Sequence, residues 1–226
     1  MKGKIIVIEG TDGSGKKTQS ELLEARLKEL GHNCITISFP VYDTPTGKIV
    51  GGPLLGKEEI CQSYFEHPGS IDPKVASLYY AADRKNNISK AVEYLEQGYY
   101  VILDRYTTSN LAHQGGKILD KDERFEMYQW IDKLEYWLLG LPKPDITVFL
   151  HVPYDFTLEM RKSRQYSDAV ENDEKYMRNA EIAYLELSEL YNWHKIACIN
   201  DNKLRTIEDI NNEITSIILK EINKEQ

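Results

Sequence analysis

Short apolar runs alternate along the chain with longer segments whose apolar residues recur at helical spacing. The runs hold almost no polar residues between their apolar ones, which is typical of strands buried on both faces. They predict five strands, over Lys4–Glu9, Cys34–Phe39, Tyr100–Asp104, Asp145–Val152 and Lys195–Asn200. We therefore expect a sheet whose two faces are both covered by helices.

Helical periodicity fills the intervals between these runs. One helix is predicted over Thr18–Leu30, ended by Gly31, and another over Ile207–Ile222, after Thr206 in a pattern that resembles a capping box. A further helical stretch, ended by Gly98, is predicted from the spacing of Val75, Leu78, Ala82, Ile88 and Leu95. Alternation of strands and helices predicts an α/β fold with a parallel sheet and right-handed crossovers.

The long interval from Phe39 to Tyr100 carries no convincing strand. We expect helices and loops there, set above the carboxyl edge of the sheet, where open α/β sheets bind their ligands. The chain shows neither an internal repeat nor a flexible linker, so a single domain over residues 1–226 is predicted.

The charge balance limits the partners of such a domain. The 226 residues include 28 Lys and Arg against 36 Asp and Glu, a net charge of −8. Polymeric nucleic acid and anionic membranes both need a clustered basic surface, so neither is an expected partner. The balance does not oppose the binding of one small polyanion in a local pocket.

The cysteines and the N-terminus predict a soluble, cytoplasmic protein. The three cysteines are widely separated and form no C-x-x-C pair, which is typical of reduced thiols. The apolar run near the N-terminus, Ile5–Ile8, is shorter than the 7–15 residues or so of a signal peptide and the 18 or more of a membrane span.

A glycine-rich loop follows the first predicted strand directly. Its pattern, G-x-x-x-x-G-K between a strand and a helix, is that of a Walker A phosphate-binding loop. Glycines let the backbone turn its N–H groups toward phosphate oxygens, and the helix start adds a partial positive charge. The residues expected to hold a nucleoside triphosphate are Gly10, Thr11, Asp12, Gly13, Ser14, Gly15, Lys16, Lys17 and Thr18.

Two loop positions depart from the usual pattern. Lys17 stands where a Ser or Thr would bind Mg²⁺, so either Thr18 reaches the phosphates or the metal, or the metal depends on nucleotide oxygens, water and a carboxylate. Asp12 would be repelled by phosphates and must therefore face a hydroxyl, a cation or an arginine. It is a candidate for positioning an acceptor nucleotide.

The third predicted strand ends on an acid and a base. Asp104, at the end of a buried strand beside a phosphate-loop strand, is a candidate Mg²⁺ ligand, directly or through water. Arg105 offers a planar, bidentate clamp for a phosphate group.

These pieces and several others occur in an order that resembles the thymidylate kinase family of P-loop nucleoside monophosphate kinases. The resemblance runs from Ile5 to about Leu190. Beyond the phosphate loop, the matching stretches are FPVY (Phe39–Tyr42), YAADR (Tyr80–Arg84), DRYTTSNLAHQG (Asp104–Gly115), GLPKPD (Gly140–Asp145) and DAVENDEKY (Asp168–Tyr176).

The resemblance implies a three-layer P-loop NTPase fold with a five-stranded parallel sheet and phosphorylation of dTMP by ATP with Mg²⁺. It assigns base stacking to Tyr80, hydrogen bonds at the thymine edge to Arg84 and Asn110, and a phosphate contact to Arg105. The full set of implied dTMP-binding residues is Phe39, Tyr42, Tyr80, Arg84, Arg105, Asn110, His113, Gln114 and Tyr176.

A mobile lid over about residues 161–168 and a homodimer are also implied. Arg161 and Arg164 are the lid residues expected to reach the transferring phosphoryl group, together with Lys16, Asp12 and Arg105 as the catalytic set. A homodimer would use helix faces. Residues that could supply one, or that could equally belong to the core of the protomer, are Tyr128, Trp130, Trp137 and Leu138.

Three alternatives remain open from the sequence. His113 stands where many relatives carry Tyr against the sugar, so a kinase for another or a broader range of pyrimidine or deoxynucleoside monophosphates is possible. A nucleotide-binding paralogue without turnover is a second alternative. A GTPase-type switch is the third, although no N-K-x-D guanine motif occurs in the chain.

Overall fold

The computed structural model describes residues 3–157 and 173–224. Their strands are β1 (Lys4–Glu9), β2 (Cys34–Ser38), β3 (Tyr100–Asp104), β4 (Ile146–His151), β5 (His194–Ala197), β6 (Ile199–Asn200) and β7 (Lys203–Leu204). The first five form one sheet in the order β2-β3-β1-β4-β5, and every neighbouring pair in it is parallel. The phosphate-loop strand β1 is therefore central, with β3 directly beside it.

Helices cover both faces of this sheet. They are α1 (Lys16–Glu29), α2 (Pro45–Ile49), α3 (Pro73–Asn87), α4 (Ser89–Glu96), α5 (Thr107–Gly115), α6 (Lys121–Asp132), α7 (Glu174–Leu190) and α8 (Ile207–Asn223), with π-helical turns at Val50–Leu54 and Lys133–Leu138 and a 3₁₀ turn at Pro68–Ser70. Alternate β1 residues face opposite layers, because successive side chains of a strand point to opposite faces. Ile6 and Ile8 pack with α1 and α8, whereas Ile5 and Val7 pack with α4.

The five predicted strands and the α/β class are confirmed, with corrections at two places. The predicted strand Lys195–Asn200 is wrong in its C-terminal half, since β5 ends at Ala197 and β6 pairs with β7 in a separate antiparallel hairpin. Asp201 and Asn202 both have positive φ, which is the backbone of a tight two-residue hairpin turn. The turn folds the chain back before the run can extend the main sheet.

The second correction concerns the helical stretch that begins near Val75. It consists of two helices, α3 and α4, joined at Ile88. Val75, Leu78 and Ala82 are exposed, and the inward face of α3 instead carries small and polar residues. The apolar spacing thus predicted helical structure correctly but marks the outer face of α3.

The predicted lid, with Arg161 and Arg164, lies outside the described residues. Within residues 3–157 and 173–224, no helix combines the length and the apolar character needed to cross a bilayer.

Candidate active site

The phosphate loop lies between β1 and α1 and is shaped by its glycines. A Cβ added at Gly10 would lie 2.8 Å from the backbone oxygen of Leu150, so only glycine allows the loop to approach β4 this closely. Gly15, with φ of 87°, turns the chain into α1 in a left-handed conformation that other residues adopt at a cost. The hydroxyl oxygens of Thr11 and Ser14 are buried and have no partner among the described residues.

Lys16 and Lys17 have opposite environments although they are adjacent. The Lys16 ammonium is buried, donates to the Thr11 carbonyl oxygen at 2.9 Å and lies 3.8 Å from the Asp12 carboxylate. The Lys17 side chain is 81% exposed and its nearest acidic group is Glu21 at 3.9 Å. Lys17 therefore does not occupy the inward position of the missing Ser or Thr, and Thr18 is exposed on the first turn of α1.

Burial makes the charge of Lys16 sensitive to pH. It lowers the pKa of Lys16 to about 8, and Arg105 acts in the same direction, against the opposing carboxylates of Asp12, Asp104 and Glu9. The ammonium is charged below this pH and neutral above it. We expect the affinity for ADP to be full near neutral pH and to fall as the pH rises through about 8.

Calorimetric titration of ADP across this pH range checks the expectation. In Lys16→Arg the guanidinium stays charged, so any remaining affinity should not change over the same range. An affinity of the unsubstituted protein that stays constant up to about pH 9.5, one and a half units above the expected midpoint, would contradict the role of Lys16.

A chain of polar contacts leads from the phosphate loop across the end of β3 to α7. Arg105, directly after β3, forms an ion pair with Asp12 and lies 3.3 Å from His113 Nε2. His113 Nδ1 lies 3.1 Å from the Tyr176 hydroxyl, and the two rings are stacked. Of the three kinds of partner expected for Asp12, a hydroxyl, a cation or an arginine, the structure shows an arginine. Arg105 has a φ of 67°, a left-handed backbone conformation that non-glycine residues hold mainly where the surrounding contacts enforce it.

The contacts of His113 fix its protonation state. Burial, with Arg105 adding to it, lowers the pKa of His113 to about 3, so the ring is neutral at physiological pH. A guanidinium only donates, hence Nε2 accepts from Arg105 and the ring proton lies on Nδ1, facing the Tyr176 oxygen. Both nitrogens are therefore engaged in this structure, and His113 positions Arg105 rather than presenting a vacant acceptor.

All nine residues implied to bind dTMP line one cleft beside this polar chain. The cleft combines aromatic walls with a few polar and charged groups, which is the usual composition of a small-molecule site. Its lining residues are Asp12, Phe39, Pro40, Tyr42, Leu55, Lys57, Tyr80, Arg84, Arg105, Tyr106, Ser109, Asn110, His113, Gln114 and Tyr176. Asp12 is the phosphate-loop residue in this set. The loop therefore reaches the cleft where Asp12 forms its ion pair with Arg105.

The amide side chains in the cleft wall retain unused acceptors. The Asn110 Oδ1 and Gln114 Oε1 atoms are buried and lack partners within the part of the chain that the structure describes. Arg84 is buried in the same wall and can only donate. A ligand with both an acceptor and a donor along one edge would satisfy such a wall.

Sequence reasoning missed two buried acids that organise this region. Glu9, the last residue of β1, accepts hydrogen bonds from the Tyr106 backbone N–H and from the hydroxyls of Thr108, Ser109 and Tyr184. Glu135 accepts from Arg84 and Asn110. Lys57, a cation over the Tyr42 ring in the cleft, was missed as well. A signal for both acids was present, since Glu9 directly follows the apolar run Ile5–Ile8 and Glu135 lies among the mostly apolar residues Leu134–Leu138.

Asp104 has the properties of a ligand for a hard cation. Its Oδ1 atom is buried without a partner among the described residues, and β1 pairs with β3 so that Ile8 lies opposite Asp104, just before the phosphate loop. No group of three or more His, Cys, Asp or Glu side chains suited to a metal occurs in residues 3–157 and 173–224. A Mg²⁺ ion here would thus depend on one carboxylate plus non-protein oxygens, an arrangement that Mg²⁺ commonly accepts.

Comparisons with known proteins agree on one family. The family model for thymidylate kinase matches residues 8–214. The chain is 34% identical to the thymidylate kinase of Prochlorococcus marinus (strain NATL2A), over 96% of this chain and 99% of the relative. It is 30% identical to the probable thymidylate kinase of Pyrococcus horikoshii, over 98% of both chains.

A solved structure shows the same similarity in three dimensions. It is that of thymidylate kinase from Candida albicans, described as revealing the origin of broad substrate specificity and a novel structural element. The match has a TM-score of 0.72 at 26% identity and covers 98% of this chain and 93% of that one.

Proposed function

This chain belongs to the thymidylate kinase family and phosphorylates dTMP to dTDP, and we propose that dTMP occupies the cleft between Asp12 and Arg84. The observation that carries the placement is the convergence of the nine implied residues on one cleft that touches the phosphate loop at Asp12. The sequence separation of these residues is large, so their meeting in one cleft is a product of the fold.

The two ends of the cleft suit the two ends of a nucleoside monophosphate. The Arg105 guanidinium contacts Asp12 and His113 with some of its N–H groups. Its other N–H groups bind the phosphate of dTMP. Tyr80 and Phe39 supply aromatic surface for the base, and stacking on such surface is worth about 1–3 kcal/mol per base. Arg84, Asn110 and Gln114 then meet the edge of the base.

ATP, the phosphate donor of this family, is held by the loop from Gly10 to Thr18. Lys16 stabilises negative charge on the terminal phosphates, and Arg105 holds the acceptor phosphate toward them. The acceptor is already ionised, so catalysis consists of positioning and charge stabilisation. The contribution of Arg161 and Arg164 from a lid stays a prediction.

Mg²⁺ is part of this proposal. Asp104 would hold it, directly or through water, together with oxygens of the nucleotide, since Lys17 replaces the usual hydroxyl ligand. When bound, the ion would neutralise negative charge on the phosphate oxygens of the nucleotide.

A coupled assay of ADP release tests the function. With ATP and Mg²⁺ we expect turnover of dTMP above that of dUMP, UMP and dGMP, and loss of turnover when EDTA is in excess. Equal or higher turnover of UMP or dUMP would favour the second candidate, a kinase of broader range. The observation in its favour is that the neutral, compact His113 lines the cleft where many relatives carry Tyr, and the structure of the Candida albicans relative is described as revealing the origin of broad substrate specificity.

We also propose a homodimer. The outward face of α3, with Val75, Leu78 and Ala82, is a helical stripe left exposed in the protomer, and Trp137 and Leu138 are exposed as well. Tyr128, by contrast, belongs to the core. A mass of twice 26.1 kDa in light scattering is the expected result.

The single-domain organisation and a cytoplasmic location stay predictions.

A further inference from the structure

Glu135 is a fully buried carboxylate that lies behind the wall of the cleft. It belongs to the π-helical turn Lys133–Leu138, where its exposed neighbours Trp137 and Leu138 point outward. Although it does not line the cleft, it accepts hydrogen bonds from two residues that do, Arg84 and Asn110. Burying a carboxylate costs free energy unless donors surround it, and the donors here are two side chains of the cleft wall.

The contact with Asn110 decides which end of that amide faces the ligand. Asn110 Nδ2 donates to Glu135 Oε1 at 2.8 Å and to the Ser77 carbonyl oxygen at 3.4 Å. Both partners only accept, so the nitrogen must lie on their side. The carbonyl oxygen, which has no partner among the described residues, is then the polar atom that Asn110 has left for a ligand.

The contact with Arg84 fixes the second polar group of the wall. Arg84 Nε donates to Glu135 Oε2 at 2.9 Å, and Nη2 donates to Oε1. Burial disfavours the charged guanidinium, but the Glu135 carboxylate holds the pKa of Arg84 above its usual value. Nη1 donates to the Tyr106 carbonyl oxygen at 3.4 Å. Since a guanidinium carries more N–H groups than these three contacts use, Arg84 keeps donors for a ligand.

We propose that Glu135 sets the hydrogen-bonding polarity of the base site and thereby selects bases with a carbonyl group next to a ring N–H. Arg84 offers a donor for the carbonyl, and Asn110 offers an acceptor for the N–H. Thymine and uracil present this pair of groups along one edge, whereas cytosine presents an amino group and a bare ring nitrogen. The inference rests on the proposed placement of dTMP in the cleft, and it makes Glu135 a positioning residue for selectivity.

The test compares dTMP with dCMP in the variant Glu135→Gln. Glutamine has one acceptor oxygen where the carboxylate has two, so its NH₂ group must meet a donor, either Asn110 Nδ2 or an N–H of Arg84. The group that it displaces no longer keeps its orientation toward the base. We expect kcat/KM for dTMP to fall, and the preference for dTMP over dCMP to narrow by about 10- to 100-fold, the effect of one mismatched buried hydrogen bond. Glu135→Asp keeps a carboxylate and should keep the preference even where overall activity declines.

Glu186→Gln is the matched control. Glu186 is also paired with an arginine, Arg124, and with a tyrosine hydroxyl, but neither it nor these partners line the cleft. It should leave the ratio of dTMP to dCMP activity unchanged. If Glu135→Gln lowers both activities equally, or leaves the ratio as it is, Glu135 has only a structural role and the inference is overturned.

A measurement on the unsubstituted protein decides the matter if Glu135→Gln does not fold. The NMR signal of the Asn110 side-chain NH₂, assigned by its absence in Asn110→Ser, should change little when dTMP binds, because the NH₂ stays on Glu135. A large change would mean that the nitrogen meets the base, against the proposal. Failure of the unsubstituted protein to phosphorylate dTMP at all would instead refute the proposed function.

Discussion

Lys16→Ala is expected to lower kcat for ATP-dependent phosphorylation of dTMP by about 100- to 1000-fold, as does the removal of a group that stabilises charge in a transition state. The Lys16 ammonium is buried at the start of α1, where it donates to the Thr11 carbonyl within the phosphate loop. Alanine removes the cation without filling the space that the terminal phosphates need. The effect belongs in kcat, because charge on the transferring group is greatest in the transition state.

The fold should survive this substitution. Burial lowers the pKa of Lys16, which means that folding works against the charged form and that removing it relieves a cost. Melting temperature, measured with the kinetics, is expected to be unchanged or higher.

Lys17→Ala is the control for Lys16→Ala. Lys17 is the next residue of the same helix turn, but its side chain is exposed to solvent. Its removal should change kcat by less than about twofold. Comparable losses in the two variants would mean that the loop needs positive charge in general, and near-full activity in Lys16→Ala would refute the phosphate-loop assignment.

Glu9→Leu is expected to reduce the free energy of unfolding by about 3–5 kcal/mol, because several buried hydrogen-bond donors lose their acceptor at once. Glu9 is fully buried at the end of β1, where a backbone N–H and three hydroxyls donate to its carboxylate. Leucine fills much of the space but accepts no hydrogen bond. The Tyr106 N–H and the hydroxyls around it would then be desolvated without compensation.

Urea denaturation of the variant measures this loss. The control is Glu126→Leu on α6, where the side chain is exposed and the change should lie within about 0.5 kcal/mol. A loss below about 1 kcal/mol in Glu9→Leu would show that the surrounding hydroxyls find other acceptors, and that Glu9 is not the centre of the network.

The fold was largely predictable because its strands are buried on both faces. Continuous apolar runs carry that information locally, and the neighbouring glycines mark where helices end. The wrong predictions concern apolar residues that lie outside the core or outside the main sheet. Leu78 has the spacing of a core position but faces outward, and the last run continues past Ala197 into a hairpin that the positive φ of Asp201 and Asn202 imposes.

Sequence motifs named the residues that line the candidate site, but they did not show which buried side chains hold those residues in place. Motifs identified Arg84, Asn110 and Arg105, because a resemblance transfers residues that touch a ligand. Glu135 acts through Arg84 and Asn110, whereas Glu9 holds the Tyr106 backbone and three hydroxyls behind them. The partners of the two acids are 25–175 positions away in the sequence. Such pairings depend on the tertiary structure, so neither periodicity nor spacing could reveal them.

The pairing of β1 with β3 has a consequence for how this enzyme can change. Lys16 and Arg105 follow two adjacent strands whose register is fixed by backbone hydrogen bonds. Phe39, Tyr80 and Arg84 come from the long interval between β2 and β3. On the proposed placement of dTMP, the phosphate contacts and part of the base recognition come from different stretches of the gene. On that placement, sequence changes within residues 39–99 that keep the pairing of Arg84 with Glu135 would alter the base site while the strands that carry Lys16 and Arg105 stay unchanged.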